Sequence, residues 1–167
     1  MNGAHFHLVV NHLPIVFPLV GIIVMIIGFV SKSDAVKRTS YFIFVLGALF
    51  SILSMTSGEG AEDIVKKING IDKKLIHTHE EAAETFALLT YVLGVLSLFG
   101  LWASFSKKSF SNLLYIITLA FALVCMVFAK QTGTTGGEIR HTEIREGAAL
   151  LMQDSTVSEP SREEGDH

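Results

Sequence analysis

Four long apolar runs constrain this chain more than any other feature. A helix that crosses the roughly 30 Å hydrocarbon core of a bilayer needs about 20 apolar residues, and in lipid only a helix satisfies its own backbone within one segment. The runs predict spans at about 8–30, 41–57, 82–105 and 113–129. The first lacks the basic leader of a signal peptide, so we expect it to be retained. The sequence therefore predicts an all-α, integral membrane four-helix bundle surrounded by lipid.

Composition supports this assignment and excludes several other classes. Charged residues make up 17% of the 167 residues and the mean hydropathy is +0.48, whereas a soluble domain is about 25% charged. A single cysteine, Cys125, excludes a disulfide framework, a Cys-x-x-Cys site and covalent haem attachment. The net charge of −3 gives no reason to expect a nucleic-acid partner. We predict one domain over residues 1–147 and an acidic, disordered tail over 148–167.

The connections between the spans predict an orientation. The short loops 31–40 and 106–112 together carry five basic residues and one acidic residue. The positive-inside rule places such loops in the cytoplasm, so both termini are expected on the outer, periplasmic face of a bacterial inner membrane. This topology brings every histidine to that same face: His5, His7, His12, His77, His79, His141 and His167.

The first histidine cluster surrounds the start of the first span. His5 and His7 precede the apolar run, and His12 lies just inside its outer edge, two residues before Pro14. An ionisable residue at that depth is a candidate for a functional site. The alternative is an interfacial histidine that only donates to a carbonyl.

The second cluster precedes the third span, where Asp72 is the expected N-cap. Helical spacing places His79 on the apolar face that packs into the bundle. His77 falls on a neighbouring face with Glu81 and Glu84. The two histidines are therefore expected to point in different directions.

The third cluster follows the fourth span. Gly136 and Gly137 are expected to break the helix and fold Glu138, Arg140 and His141 back over the mouth of the bundle. The Glu138-x-x-His141 spacing matches half of a di-iron carboxylate pattern, which needs a second such pair. The alternative is a polar cap in which Arg140 pairs with a glutamate.

Small residues recur at helical spacing on the spans, as in Gly47, Ser51, Ser54 and Gly58 on the second. Such stripes usually permit close helix packing in lipid. They also leave room for a flat cofactor between helices.

Converging histidines favour a membrane-bound, b-type cytochrome-like protein that transfers electrons near the periplasmic face. Imidazole is a common metal ligand, and a histidine on each side of the ring can hold haem iron. His12 and His79 are the expected axial ligands of haem b. His7 and His141 are expected as a second ligand pair or as propionate contacts, with Arg140 as a partner for a propionate.

Several motifs are similar to those of a bacterial four-helix membrane family of uncharacterised function. The His7-x4-His12-x-Pro14 signature resembles its first helix, and Thr56-Ser57-Gly58 resembles the turn that ends its second helix. The Gly136-Gly137-Glu138 segment with a following histidine resembles its last motif. Members are often joined to Rieske iron–sulfur or cytochrome c domains. The resemblance therefore implies redox work with a separate Rieske-type, cytochrome c or quinol partner.

Two other functions stay open. The first is a non-haem copper, zinc or iron protein for sensing, delivery or transport. Its ligands would be drawn from the residues His7, His12, His77, His79, His141, Glu81, Glu84 and Glu138. The second is an accessory subunit of a respiratory complex, and a homo-oligomer is compatible with each function. The sequence has no nucleophile elbow, P-loop or Rossmann fingerprint, and whether the protein is an enzyme stays open.

Overall fold

The structure, a computed structural model, describes residues 2–68 and 71–145. This part of the chain is helical, without strands. The helices are α1 (Gly3–Val10), α2 (Leu13–Val30), α3 (Asp34–Val65), α4 (Lys73–Phe105) and α5 (Ser111–Arg140), and a short 3-10 turn (Thr142–Ile144) follows them. Because α1 and α2 together form one long rod, the predicted all-α bundle of four long helices is confirmed. The predicted tail and His167 lie outside the described residues.

Local sequence explains where the helices begin and end. The Asp72 side chain accepts from the Lys74 N–H at 2.8 Å, which makes it the predicted N-cap of α4. Ser33 caps α3 in the same way. Between α1 and α2 the ladder of hydrogen bonds is interrupted because Pro14 has no N–H to donate. Lys32 and Lys107 follow α2 and α4 with positive φ values of 51° and 49°, and at these residues the chain leaves the helix.

The four rods run antiparallel in chain order. α2 packs along α3, α3 along α4 and α4 along α5, while a smaller contact between α2 and α5 closes the ring. α1 packs against the far end of α3, where the backbones of Gly3 and Gly60 approach closely. One end of the bundle therefore gathers α1, the end of α3, the start of α4 and the end of α5.

Glycines let the rods approach closely in the middle of the bundle. A Cβ on Gly94 would lie 2.6 Å from the Ala48 Cβ, and one on Gly100 would lie 2.4 Å from the Tyr41 ring. A Cβ on Gly47 would lie 3.1 Å from Pro18. At these positions neighbouring atoms already fill the space beside the glycine, so the small residues serve helix packing and leave no slot for a flat ring.

All four rods are long and apolar enough to cross a membrane, with mean hydropathies of 2.8, 1.8, 2.0 and 2.4 over their most apolar windows. Half of that window is buried in α4 and 28–33% in the other three, so most of the apolar surface faces outward. With 32 and 33 residues, α3 and α4 are about 48 and 50 Å long, which exceeds the roughly 30 Å hydrocarbon core. The helices therefore extend beyond the spans predicted from hydropathy.

The predicted helix break at Gly136 and Gly137 is wrong. α5 continues through both residues to Arg140, and the chain leaves the helix only at His141. Each glycine costs about 1 kcal/mol relative to alanine in a helix. This part of α5 packs on α4 and is joined to it by a hydrogen bond of 3.0 Å from the Thr132 hydroxyl to the Ala82 carbonyl. Glu138, Arg140 and His141 therefore do not fold back over the bundle as expected.

Candidate functional site

Two histidines at one end of the bundle hold their helices to a neighbouring helix. His7 on α1 is hydrogen-bonded to Ser57 near the end of α3, and His79 on α4 is hydrogen-bonded to Thr135 near the end of α5. Both side chains are half-buried, and they lie close enough for their charges to interact. We call His7, Ser57, His79 and Thr135 the histidine site.

The partner hydroxyl determines which nitrogen of His7 carries the proton. His7 Nδ1 lies 2.9 Å from Ser57 Oγ, and that hydroxyl donates its only hydrogen to the Ser54 carbonyl at 2.9 Å. With its hydrogen directed to Ser54, Ser57 Oγ accepts from His7, and this arrangement favours the tautomer with the proton on Nδ1. This tautomer leaves His7 Nε2 with a free lone pair.

The same arrangement recurs at His79. Its Nδ1 lies 3.2 Å from Thr135 Oγ1, and this hydroxyl lies 3.1 Å from the carbonyls of both Gln131 and Thr132. Because Thr135 Oγ1 donates to the backbone, it accepts from His79 Nδ1 and leaves Nε2 unprotonated. Among the described residues, no hydrogen bond engages Nε2 of either histidine.

The two halves of the bundle present these side chains in equivalent positions. His7 corresponds to His79, and each faces a hydroxyl that bonds the carbonyl three residues earlier on its own helix. A glycine follows each hydroxyl residue: Gly58 lies beside the His7 ring and Gly136 beside the His79 ring. The site is therefore built from two matching units, one from the first hairpin, formed by α1, α2 and α3, and one from the second, formed by α4 and α5.

Packing is looser beside Gly58 and Gly133 than at the glycines in the middle of the bundle. A Cβ on Gly58 would meet only the His7 ring, at an ordinary contact distance of 3.8 Å. A Cβ on Gly133 in α5 would meet only Ile15, at 3.9 Å. A Cβ on Gly136, in contrast, would lie 2.9 Å from His79 Cε1, so this glycine is needed for the ring to reach its place.

The other predicted histidines lie at the same end but outside this arrangement. His12 is exposed and makes no side-chain capping bond, although it lies close enough to His7 for their charges to interact. His77 is exposed, with Nε2 3.3 Å from Glu81. His141 is exposed and pairs with Glu143 at 2.8 Å. These three imidazoles lie at the surface of the bundle rather than in its interior.

The remaining predicted ligands are dispersed. Glu84 and Arg140 are exposed, and Glu138 is half-buried, with its carbonyl accepting from Arg145 at 2.8 Å. Within residues 2–68 and 71–145, no three histidine, cysteine, aspartate or glutamate side chains lie together as a metal-binding group. The Glu143 backbone N–H and the His141 ring lower the pKa of the Glu143 carboxyl below its ordinary value.

Ser57 and Thr135 were not among the predicted site residues. The available signal is a hydroxyl residue followed by glycine near the end of α3 and again near the end of α5. Comparison of the chain with protein-family models, curated proteins and solved structures found no match. The residues of the histidine site themselves therefore carry the functional argument.

Proposed function

We propose that this protein is a multi-pass membrane protein that binds haem b between His7 and His79 and transfers electrons at that end of the bundle. The observation that carries the proposal is the pair of matching, half-buried imidazoles, each with Nδ1 engaged and Nε2 free. Such outer hydrogen bonds fix the tautomer and orientation of a metal-ligating histidine.

The outward-facing apolar surface supports membrane insertion. Large apolar side chains are exposed along all four rods, far beyond what a monomeric soluble protein presents. At the end opposite the histidine site, Lys108 lies over the Trp102 ring and Arg38 over the Phe105 ring. Basic and aromatic side chains of this kind are typical of the membrane–water interface. We assign this end to the cytoplasm and the histidine site to the periplasmic face of a bacterial inner membrane.

The number of donors favours haem over a bare metal ion. Zinc sites use three or four protein ligands, and a mixed site of His77, Glu81 and Glu84 would need side chains that point together. A porphyrin supplies four nitrogens, so two imidazoles complete the coordination of its iron. The pair His7 and His79 has the donor count and the neutral imidazole nitrogens that this requires.

Each residue of the site has a defined task in this proposal. His7 and His79 present Nε2, while Ser57 and Thr135 hold the rings by accepting from Nδ1. Gly136 keeps the space that the His79 ring occupies. The bound haem would supply one-electron oxidation and reduction, and the half-buried position would let a periplasmic cytochrome c, a Rieske-type protein or a quinol exchange electrons with it.

The test is the visible spectrum of the detergent-purified protein from haem-replete cells, oxidised and dithionite-reduced. We expect a Soret band and sharp α and β bands on reduction. His7→Ala and His79→Ala should each abolish the low-spin spectrum. His77→Ala and His12→Ala are the matched controls and should keep it.

Two results would count against the proposal. One is a featureless spectrum from a folded, helical protein, in which case elemental analysis would report whether copper, zinc or iron is bound instead. The other is a haem spectrum that survives both His7→Ala and His79→Ala, which would assign the ligands elsewhere.

A further inference from the structure

The bundle end opposite the histidine site has a strong positive charge. Five basic residues and one acidic residue lie in the two connections and the adjoining turns: Lys32, Lys37, Arg38, Lys107, Lys108 and Asp34. α3 and α5 both begin here, so the positive ends of two helix dipoles add to this charge. This end of the molecule therefore attracts anions.

A small cleft, with room for about one water molecule, opens among the starts of α3 and α5 and the end of α4. Its lining is polar at the mouth and aromatic further in: Asp34, Lys37, Ser104, Ser111, Asn112, Tyr41 and Tyr115. The Lys37 side chain is only 17% exposed, and its ammonium lies 3.8 Å from Asp34 Oδ1, 3.3 Å from Asn112 Oδ1 and 5.3 Å from the centre of the Tyr115 ring. The cleft thus holds a positioned cation that faces the Asp34 carboxylate and the Asn112 amide oxygen, with the Ser111 hydroxyl in the same lining.

A second feature of the cleft is a buried hydroxyl. Tyr41 is 2% exposed, and no described residue forms a hydrogen bond with its Oη. The Thr118 hydroxyl lies beside it but outside hydrogen-bonding geometry, and it donates to the Leu114 carbonyl instead. A buried donor without a partner costs about 1–3 kcal/mol, so the inner wall favours an acceptor or water at the cleft.

We propose that the mouth of this cleft binds the phosphate of an anionic phospholipid from the adjoining leaflet. Lys37 would provide the charge, and Ser111 and Asn112 would provide hydrogen bonds at the first turn of α5. A lipid is favoured over free phosphate because exposed apolar side chains continue from the cleft edge along α4 and α5, among them Phe105 and Phe110. Acyl chains can cover these side chains, whereas a soluble anion cannot. The proposal needs the membrane insertion proposed above but is independent of haem.

The experiment is native mass spectrometry of the full-length protein in detergent, titrated with phosphatidylglycerol and, separately, with phosphatidylcholine. We expect phosphatidylglycerol to bind more tightly. Lys37→Gln should weaken its binding about five-fold, the effect of removing one lysine at a membrane surface. Lys37→Arg should keep the preference. Lys74→Gln, in the first turn of α4 at the opposite end, is the matched control and should change nothing.

A second variant keeps the test decisive if Lys37→Gln fails to fold. Ser111→Ala removes one donor from the cleft mouth without touching the buried part of Lys37, and it should also weaken phosphatidylglycerol binding. Equal binding of the two lipids would overturn the proposal, as would unchanged affinity in both folded variants. Displacement of the lipid by millimolar inorganic phosphate would assign a free-anion site instead. Failure here leaves the haem spectrum unaffected, so the two proposals are tested separately.

Discussion

The contact between Gly94 on α4 and Ala48 on α3 gives a quantitative test of the packing. In Gly94→Ala the new Cβ would lie 2.6 Å from the Ala48 Cβ, against 3.4–4 Å for an ordinary contact. Both carbons are attached directly to a backbone, so no rotamer change relieves the overlap, and the helices must separate by about 1 Å. Overpacking of this kind costs about 1–3 kcal/mol, and the better helix propensity of alanine returns up to about 1 kcal/mol. We expect a net loss of about 1–2 kcal/mol.

The assay is a double-mutant cycle with Ala48→Gly, measured by reversible unfolding in mixed micelles and followed by circular dichroism. Ala48→Gly alone should cost about 1 kcal/mol through helix propensity. The double variant moves the methyl group from one helix to the other, so it should be close to wild type, with a coupling energy of about 1–3 kcal/mol. Gly133→Ala is the control, because its Cβ meets only Ile15 at 3.9 Å and the change should be neutral or slightly stabilising. Additive effects of the two single changes would refute the reasoning.

Two further predictions concern the proposed haem ligands. Ser57→Ala removes the acceptor that fixes His7, so haem titrated into the apoprotein should bind about 10–100-fold more weakly. Ser57→Thr keeps the hydroxyl and should bind haem as wild type does. Equal binding by all three proteins would contradict the role of the hydroxyl. Gly136→Ala places a Cβ 2.9 Å from the His79 ring and should displace it, which the low-spin visible and electron paramagnetic resonance spectra would report. In Gly137→Ala the new Cβ would meet only the flexible end of a side chain, so this control variant should leave these spectra unchanged.

Hydropathy was sufficient to predict the number of helices because burial in lipid or in the bundle demands long apolar runs. It underestimated their length, since the turns beyond the apolar part are polar yet remain helical. Asp72 was predictable as an N-cap from local chemistry alone. The local pattern wrongly predicts a helix break at Gly136. It cannot distinguish a glycine that ends a helix from one that makes room for a ring on another helix. Here the deciding contact is with His79, far away in the sequence.

In the candidate site, too, some features follow from the local sequence and others only from contacts between distant residues. Helical spacing separated His79 from His77, and the structure has the first bonded to Thr135 and the second exposed. The choice between His7 and His12 could not be made this way. Depth in the apolar run favoured His12, but α1 packs on the end of α3, and this contact partly buries His7 while His12 stays exposed.

The division of the histidine site between two hairpins would link the proposed binding to folding. His7 and Ser57 belong to the first hairpin, His79 and Thr135 to the second, and each unit is complete within its own hairpin. The hydroxyls can therefore fix the tautomers before the hairpins meet. Only packing of α3 on α4 then brings the two Nε2 atoms to the same end of the bundle. A group bound by both would stabilise the assembled bundle over the separate hairpins, and the tightly packed glycines in the middle would then determine how precisely the two imidazoles are placed.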